Sequence, residues 1–476
     1  MTFGDITTQR LDGVLKYTKV VHPSRGISEP SVPSVQSVAK PSIALHKTEK
    51  KNKSAKSFLS IHKDVWLLAL SLFTWGFGLG LYNNIFSIVA ESLGAKEGEI
   101  AFIFSVSFII STLSYIPGGI FADNYNKKLV LLIGWAIGTP SALIFAFAQS
   151  WHWLVLGQLL YYVSNFCMPA FWAHLLRFCD KHNAGFTYSF TSSAFSLSMI
   201  ISPAIGGVLA EIFETRFVFI VSFVSFFIST LFLFGLENSN SMENPNSKTS
   251  SNTSHNLQND AKNVQNTNRI EKQSQKKSKL NFEYFKLLSE RRFIAFSFIF
   301  CIVTIVINLS KPYLPLFLWS EYKFNYAQIG LLSAISGLGA VTLQIALGRL
   351  SDRKDKYHSI ALSVLIFGIS YIILVFSRDF IVLAFAFFIM GAANATSSIA
   401  NSIIGMQSNQ GSEGKAFALF NTITGIALSI SPFLGGFLYS QGIFMPFYVT
   451  IFLVPFVFFS LFLICDNTMS RDSRDM

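Results

Sequence analysis

The sequence predicts an all-α membrane protein whose twelve transmembrane helices form two pseudo-symmetric six-helix bundles. Three observations predict it. Of the 476 residues, 51% are hydrophobic and only 13% are charged, whereas an ordinary soluble protein carries about a quarter charged residues. The apolar residues gather in runs of about 20, the length that a hydrocarbon core about 30 Å thick asks of a helix. The chain also repeats itself. Gly119 and Asp123 recur as Gly348 and Asp352, 229 positions on (352 − 123), each pair followed by a basic cluster, Lys127-Lys128 in one and Arg353-Lys354 in the other. At the same offset Ile100 meets Ile329, Asn165 meets Asn394, Gly185 meets Gly414, and Ser202-Pro203 with Gly206-Gly207 meets Ser431-Pro432 with Gly435-Gly436. So long a period without a gap describes two equivalent halves, not a short-repeat solenoid. The short alternating segments of a β-barrel are absent.

Residues 1–62 are polar, carry Pro23, Pro30, Pro33 and Pro41, and include a basic run from Lys47 to Lys56. They lack the apolar core of a secretory signal. A disordered cytoplasmic tail is expected, its charge holding the amino terminus inside or touching anionic headgroups. The first bundle, 63–236, has spans near Val65–Ala90, Ile100–Phe121, Leu129–Ala148, Trp153–Leu176, Phe186–Ala210 and Phe217–Leu236. Residues 237–279 are rich in Asn and Ser and hold no apolar run, so they read as a disordered tether that lets the halves rock. The second bundle, 280–466, opens on an amphipathic lead-in, Leu280–Arg292, of the kind that lies at an interface. Its spans fall near Phe293–Trp319, Ala327–Leu347, Ile360–Phe376, Phe380–Met406, Ala416–Tyr439 and Phe447–Ile464, and 467–476 form a second tail. Six spans plus six place both termini on one side.

Lys and Arg in short loops set orientation. One set of loops holds Lys127-Lys128, Arg177, Lys181, Arg349, Arg353, Lys354, Lys356 and Lys415, with the two tails. The opposite set holds Lys96, Arg216, Lys323 and Arg378, largely balanced by Glu97, Glu99, Glu211, Glu214, Glu321 and Asp379. Both termini and both Gly-to-Asp hinges are therefore expected in the cytoplasm, in a protein of the cell membrane. The formal charge of +11 lies mostly in loops and tails, so no nucleic-acid partner is expected. Cys167, Cys179, Cys301 and Cys465 sit in or at the ends of apolar runs and read as packing residues, with neither disulfide nor metal. No convergent set of nucleophile, base or metal ligands is present, which argues against an enzyme and against a cofactor.

From Lys63 to Ile464 the sequence resembles the major facilitator superfamily of secondary transporters. Gly119-Ile120-Phe121-Ala122-Asp123 with Lys127-Lys128 looks like that family's signature between the second and third helices, and Gly348-Arg349-Leu350-Ser351-Asp352-Arg353 looks like its copy between the eighth and ninth. The first copy departs from the pattern at Asn124 and Asn126, and the second at Asp355. Ser202-Pro203-Ala204-Ile205-Gly206-Gly207 is similar to a signature of the drug and metabolite exporters, with Ser198 and Ser202 where glycine is usual. The fourth span has Gln158 where the family's buried Arg is usual.

The resemblance implies that Asp123 lies near the start of the eleventh helix, around Gly414 to Ala416, and Asp352 near the start of the fifth, around Gly185 to Thr187. Helix amino termini favour an anion there, and such contacts would hold the cytoplasmic side closed. Gly119 and Gly348 are expected to let helices approach closely. Pro203 with Gly207, and Pro432 with Gly436, are expected to bend the fifth and eleventh helices, or to pack them. Lys311 falls inside the seventh span, where an ionisable residue points to a watery cavity unless it snorkels outward beside Pro312. Asn83, Asn84, Tyr161, Asn165, Asn308, Asn394 and Asn421 belong to helices that line the central cavity in the family, though any one of them also suits an interhelical hydrogen bond. The first, fourth, seventh and tenth spans carry no central Asp or Glu, and a lone His174 reads as structural. Either facilitated diffusion or a proton as coupling ion fits.

The expected function is a monomeric transporter that exports a small organic molecule by alternating access. Two alternatives stand beside it: an uptake facilitator for a metabolite or organic anion, in which Lys311 would matter most, and a transport-dead sensor or scaffold.

Overall fold

A computed structural model describes residues 62–178, 184–237, 291–353, 356–407 and 413–472. The expected amino-terminal tail, the tether, most of the amphipathic lead-in, Lys181 and Cys179 lie outside the described residues, as does the side chain of Cys465. No strand occurs among the described residues, and eleven helices are long and apolar enough to cross a membrane. The eleventh-to-twelfth discrepancy has one cause. Residues 184–234 run as a 51-residue helical stretch, but Glu214 inside it has φ 70° and ψ 162°. A side-chain-bearing residue there is strained by about 1–3 kcal/mol, and that single residue is the turn between two spans.

The twelve spans are, in order, α1 (Lys63–Asn83, then Phe86–Ser92), α2 (Glu97–Asn124), α3 (Lys127–Gly138, then Pro140–Ala146), α4 (Trp151–Val163, a 3-10 turn Ser164–Cys167, then Met168–Arg177), α5 (184–213) and α6 (215–234). The second half gives α7 (Arg291–Asn308, a 3-10 turn Lys311–Tyr313, then Leu314–Ser320), α8 (Tyr326–Arg353), α9 (Lys356–Phe376), α10 (Phe380–Met390, then Ala393–Gln407), α11 (Glu413–Gln441) and α12 (Met445–Asp472). All twelve predicted spans are present.

The repeat extends to helix starts. At α2 the backbone N–H of Lys96 donates to Glu99 Oε2 (2.7 Å), and at α8 that of Asn325 donates to Gln328 Oε1 (3.1 Å) while Gln328 N–H returns to Asn325 Oδ1 (2.9 Å). Both pairs satisfy amide groups that a helix start leaves open, and they lie 229 positions apart. Asn126, a departure from the family pattern, has a local use: its Oδ1 accepts the Lys128 N–H at 3.0 Å and starts α3.

Each half packs an aromatic core. In the first, Trp75 stacks on Phe226 (4.4 Å between centroids) and on Tyr161 (5.8 Å), while Tyr82, Phe86, Phe145 and Phe219 form a second cluster towards α6. One polar group of this core is paired across helices: Trp135 Nε1 donates to Ser229 Oγ (2.8 Å), which itself meets Ser71. In the second half Phe296, Phe300 and Phe420 join α7 to α11, and Phe317, Tyr371 and Phe447 join α7, α9 and α12.

Candidate functional site

The halves meet through two helix pairs, α5 with α8 and α2 with α11, and the Pro-Gly-Gly segments explain how. A Cβ on Gly207 would strike the Tyr326 carbonyl and lie 3.1 Å from Gly330 Cα, both on α8. A Cβ on Gly436 would meet Ala101 Cβ at 2.7 Å and the Glu97 carbonyl at 3.1 Å, both on α2. Tyr326 and Glu97 are repeat mates, as are Gly330 and Ala101, so one motif makes both seams. The neighbouring glycines turn inward: Gly206 leaves room for the Leu81 carbonyl of α1, and Gly435 for the Leu309 carbonyl of α7. Pro203 and Pro432 sit within continuous helices. The role visible for the glycines beside them is close packing.

Two hydrogen bonds between the halves lie at the end of the molecule away from the Gly-to-Asp hinges. Tyr313 Oη donates to the carbonyls of Glu97 and Pro432 (3.2 Å each), and Tyr326 N–H donates to Glu211 Oε2 (3.1 Å). Beside this closure is a recess of about 540 Å³, lined by Glu91, Ala210 and Glu211 from one half and by Trp319, Lys323 and Tyr326 from the other.

At the hinge end, Asp123, Asp352 and Arg353 are exposed, and neither aspartate makes a hydrogen bond or ion pair among the described residues. Gly119 and Gly348 also face open space, contrary to the expected close approach. That role falls to Gly118, whose missing side chain makes room for the Phe166 backbone of α4. The sequence pointed to the wrong glycine because only Gly119 is repeated. Lys127 is half-buried, and Lys128 is turned inward within its own half, its Nζ donating to the carbonyls of Phe234 (2.9 Å) and Leu236 (2.6 Å).

The candidate cavity residues share a feature that the sequence did not reveal: α1, α4, α7 and α10 are each interrupted, and six of the eight candidates lie at the interruptions. Asn83 and Asn84 end the first segment of α1; Asn165 lies in the 3-10 turn of α4; Asn308 and Lys311 flank the break in α7; Asn394 begins the second segment of α10. Broken backbone is tolerated at membrane depth only where protein buries it or a water-filled cavity meets it. Asn83, Lys311 and Asn394 are exposed. Lys311 stands out, because its neighbours Ser310 and Pro312 are buried while its own side chain is exposed at the break.

The remaining candidates are placed differently. Asn165 Nδ2 donates across to Ser111 Oγ of α2 (2.9 Å), while Asn308 and Asn421 donate to the carbonyls of Thr304 and Phe417 one turn back in their own helices (2.9 Å each). Tyr161 and Asn165 line a cavity of about 320 Å³ inside the first half, with Trp75, Trp135, Trp172 and Phe195. Its size and aromatic walls suit a small organic ligand.

One buried group escaped sequence reasoning. Asp64, at the start of α1, and His174, near the end of α4, are both fully buried, with Asp64 Oδ2 3.0 Å from His174 Nε2. The residues lie 110 positions apart, and Asp64 beside Lys63 reads as part of a solvated helix end, so no local pattern announces the pair.

The geometry is that of a membrane transporter: two helical halves, interrupted helices beneath a seam closed at one end, and polar groups at the interruptions. The chain belongs to the Major Facilitator Superfamily, whose sequence model matches residues 68–313 and 296–475. An uncharacterized MFS-type transporter of Methanocaldococcus jannaschii is 26% identical over 388 residues, 79% of this chain and 92% of that one. The quinolone resistance protein NorA of Staphylococcus aureus is 24% identical over 154 residues, which span 32% of this chain and 39% of NorA. Among solved structures, the nucleoside transporter NupG superposes with a TM-score of 0.67 at 14% identity, over 84% of this chain and 99% of NupG. That likeness concerns the fold.

Proposed function

We propose that the protein exports a small organic molecule across the cell membrane by alternating access, as a monomer with its hinges and both termini in the cytoplasm. The observation that carries this reading is the one-sided seam. Two hydrogen bonds join the halves at the end away from the hinges, while the hinge aspartates stand exposed, which fits a conformer closed outside and open to the cytoplasm. Cargo would enter from the cytoplasm and meet the interruptions of α1, α4, α7 and α10. The partial likeness to NorA and the Pro-Gly-Gly segment of α5 support export. A labelled-substrate assay in proteoliposomes, loaded on either side and run with and without a pH gradient, tests direction and coupling together. Candidate cargo comes from a thermal-stabilisation screen, since a ligand that binds the native state raises its apparent stability. Strict accumulation against the expected direction would overturn the export reading, and strict gradient dependence would exclude simple facilitation.

A second reading is favoured by one observation, Lys311. It is the one charged residue at the interruptions of α1, α4, α7 and α10, and it makes no ion pair with a carboxylate among the described residues. A cation so placed suits an organic anion as cargo. Under this reading the protein takes up such an anion. Lys311→Ala then abolishes transport of a labelled anion while Lys311→Arg retains it; equal transport by both variants removes the reading.

A further inference from the structure

We propose that Asp64 and His174 form a proton-binding site that fastens the hinge end of α1 to α4 and to the chain leaving α6, and that binding a proton at His174 opens this joint. The proposal stands on local geometry and holds whichever way cargo moves.

Asp64 Oδ2 accepts two hydrogen bonds at once, from His174 Nε2 at 3.0 Å and from the backbone N–H of Glu237 at 3.1 Å. Glu237 is the first residue after α6 and the last one described before the long polar segment that joins the halves. One carboxylate oxygen therefore ties three parts of the first half together. Lys128 reinforces the joint through the Phe234 and Leu236 carbonyls, and His62 Nδ1 accepts the Asp64 N–H at 3.2 Å. The ring of Phe178 closes the site, 4.3 Å from the His62 ring and 5.1 Å from the His174 ring.

Two atoms are left over. Asp64 Oδ1 and His174 Nδ1 are buried and have no hydrogen-bond partner among the described residues. With imidazole neutral, Nε2–H donates to the carboxylate and Nδ1 keeps a bare lone pair, the less costly arrangement. A proton added at Nδ1 creates a buried N–H with no acceptor, and desolvating such a donor is penalised in full. The charged neighbours oppose it as well, because Lys127 and Arg177 act on the His174 ring with like charge, and Lys128 stands on the same side. Asp64 alone favours the added charge; Glu237 offers its backbone N–H to the carboxylate. The imidazolium is accommodated once water or another acceptor reaches Nδ1, which requires the ring to leave its burial. Acidification on the hinge side therefore loosens α4 from α1 and frees Glu237.

The test uses the full chain in lipid nanodiscs. Amide exchange of residues 232–237 is followed between pH 7.5 and 5, after correction for the intrinsic pH dependence of exchange, together with ¹⁵N-histidine spectra in which the His174 signals are assigned by their loss in a variant. Losing a charge-assisted hydrogen bond predicts exchange about tenfold faster in acid, with the His174 ring becoming cationic over the same range. His174→Gln keeps an N–H donor for Asp64 and cannot titrate, so it stays protected at both pH values. Asp64→Asn is fast at both. A wild-type exchange profile identical to that of His174→Gln would overturn the proposal. So would a His174 ring that stays neutral throughout, a measurement made on the native protein with a variant used only to assign the signal.

Discussion

Gly206 and Gly207 are adjacent, yet replacing each with alanine has different consequences. A methyl group on Gly207 would sit 3.1 Å from Gly330 Cα, and the reciprocal methyl on Gly330 would sit 3.0 Å from Gly207 Cα and 3.2 Å from its nitrogen. Carbon atoms rest at about 3.5–4.0 Å, and the nearest opposing atoms are backbone, which no rotamer change can move aside. The halves must then separate at this seam by roughly 0.5–1 Å. Overpacking of this kind costs about 1–3 kcal/mol, and the cost falls on the conformer closed at that end. A state in which α5 and α8 have parted escapes it, so Gly207→Ala shifts the balance about 5- to 150-fold towards the other conformer. Gly206 faces the Leu81 carbonyl within its own half, a contact that rocking does not break. Gly206→Ala therefore lowers thermal stability without shifting the balance. The assay is maleimide labelling of a cysteine at Ala210, which is 4% exposed here, in a background without the native cysteines. Faster labelling is expected with Gly207→Ala and an unchanged rate with Gly206→Ala. Equal labelling in the two variants would refute the assignment of one glycine to the seam and the other to the fold.

Asp123→Asn should leave the thermal stability of the present conformer within about 0.5 kcal/mol, because the side chain is exposed and unpaired, while shifting any equilibrium further from the state closed at the hinges. Cysteine accessibility at the α4 break reads that shift, and no shift would refute gating by Asp123. Ser229→Val strands the buried Trp135 N–H that Ser229 Oγ accepts at 2.8 Å, a loss of about 1–3 kcal/mol readable as a lower denaturation midpoint.

Much of the fold was legible because a bilayer imposes length and polarity together. The twelve runs, the loops between them and the 229-residue repeat all follow from that constraint, and the structure adds the single strained residue at Glu214 that joins α5 to α6. The candidate site was legible only in part. The amides and Lys311 drew notice as polar groups in apolar runs, but the placement of all of them except Asn421 at helix interruptions depends on hydrogen bonding along four separate helices. Pro312 was the local signal for one of them. The Asp64–His174 pair was hidden for a different reason: the two residues meet across 110 positions, and neither carries a motif. Repetition itself misdirected the choice of Gly119 over Gly118, since the close approach belongs to the unrepeated residue.

The two seams have a consequence for how such a chain could arise. Gly207 meets positions 326 and 330, and Gly436 meets 97 and 101; each contact maps onto the other under the same 229-residue offset. This is the geometry of an isologous dimer, in which one surface patch answers a copy of itself about a twofold axis. A six-helix ancestor needed a single Pro-Gly-Gly segment to form both contacts, and any substitution there would have been felt twice. Fusion into one chain released that restriction. Gly330 now faces Gly207 where Ala101 faces Gly436, so the two contacts are free to differ in tightness, and a motion once bound to be even-handed can acquire a preferred side.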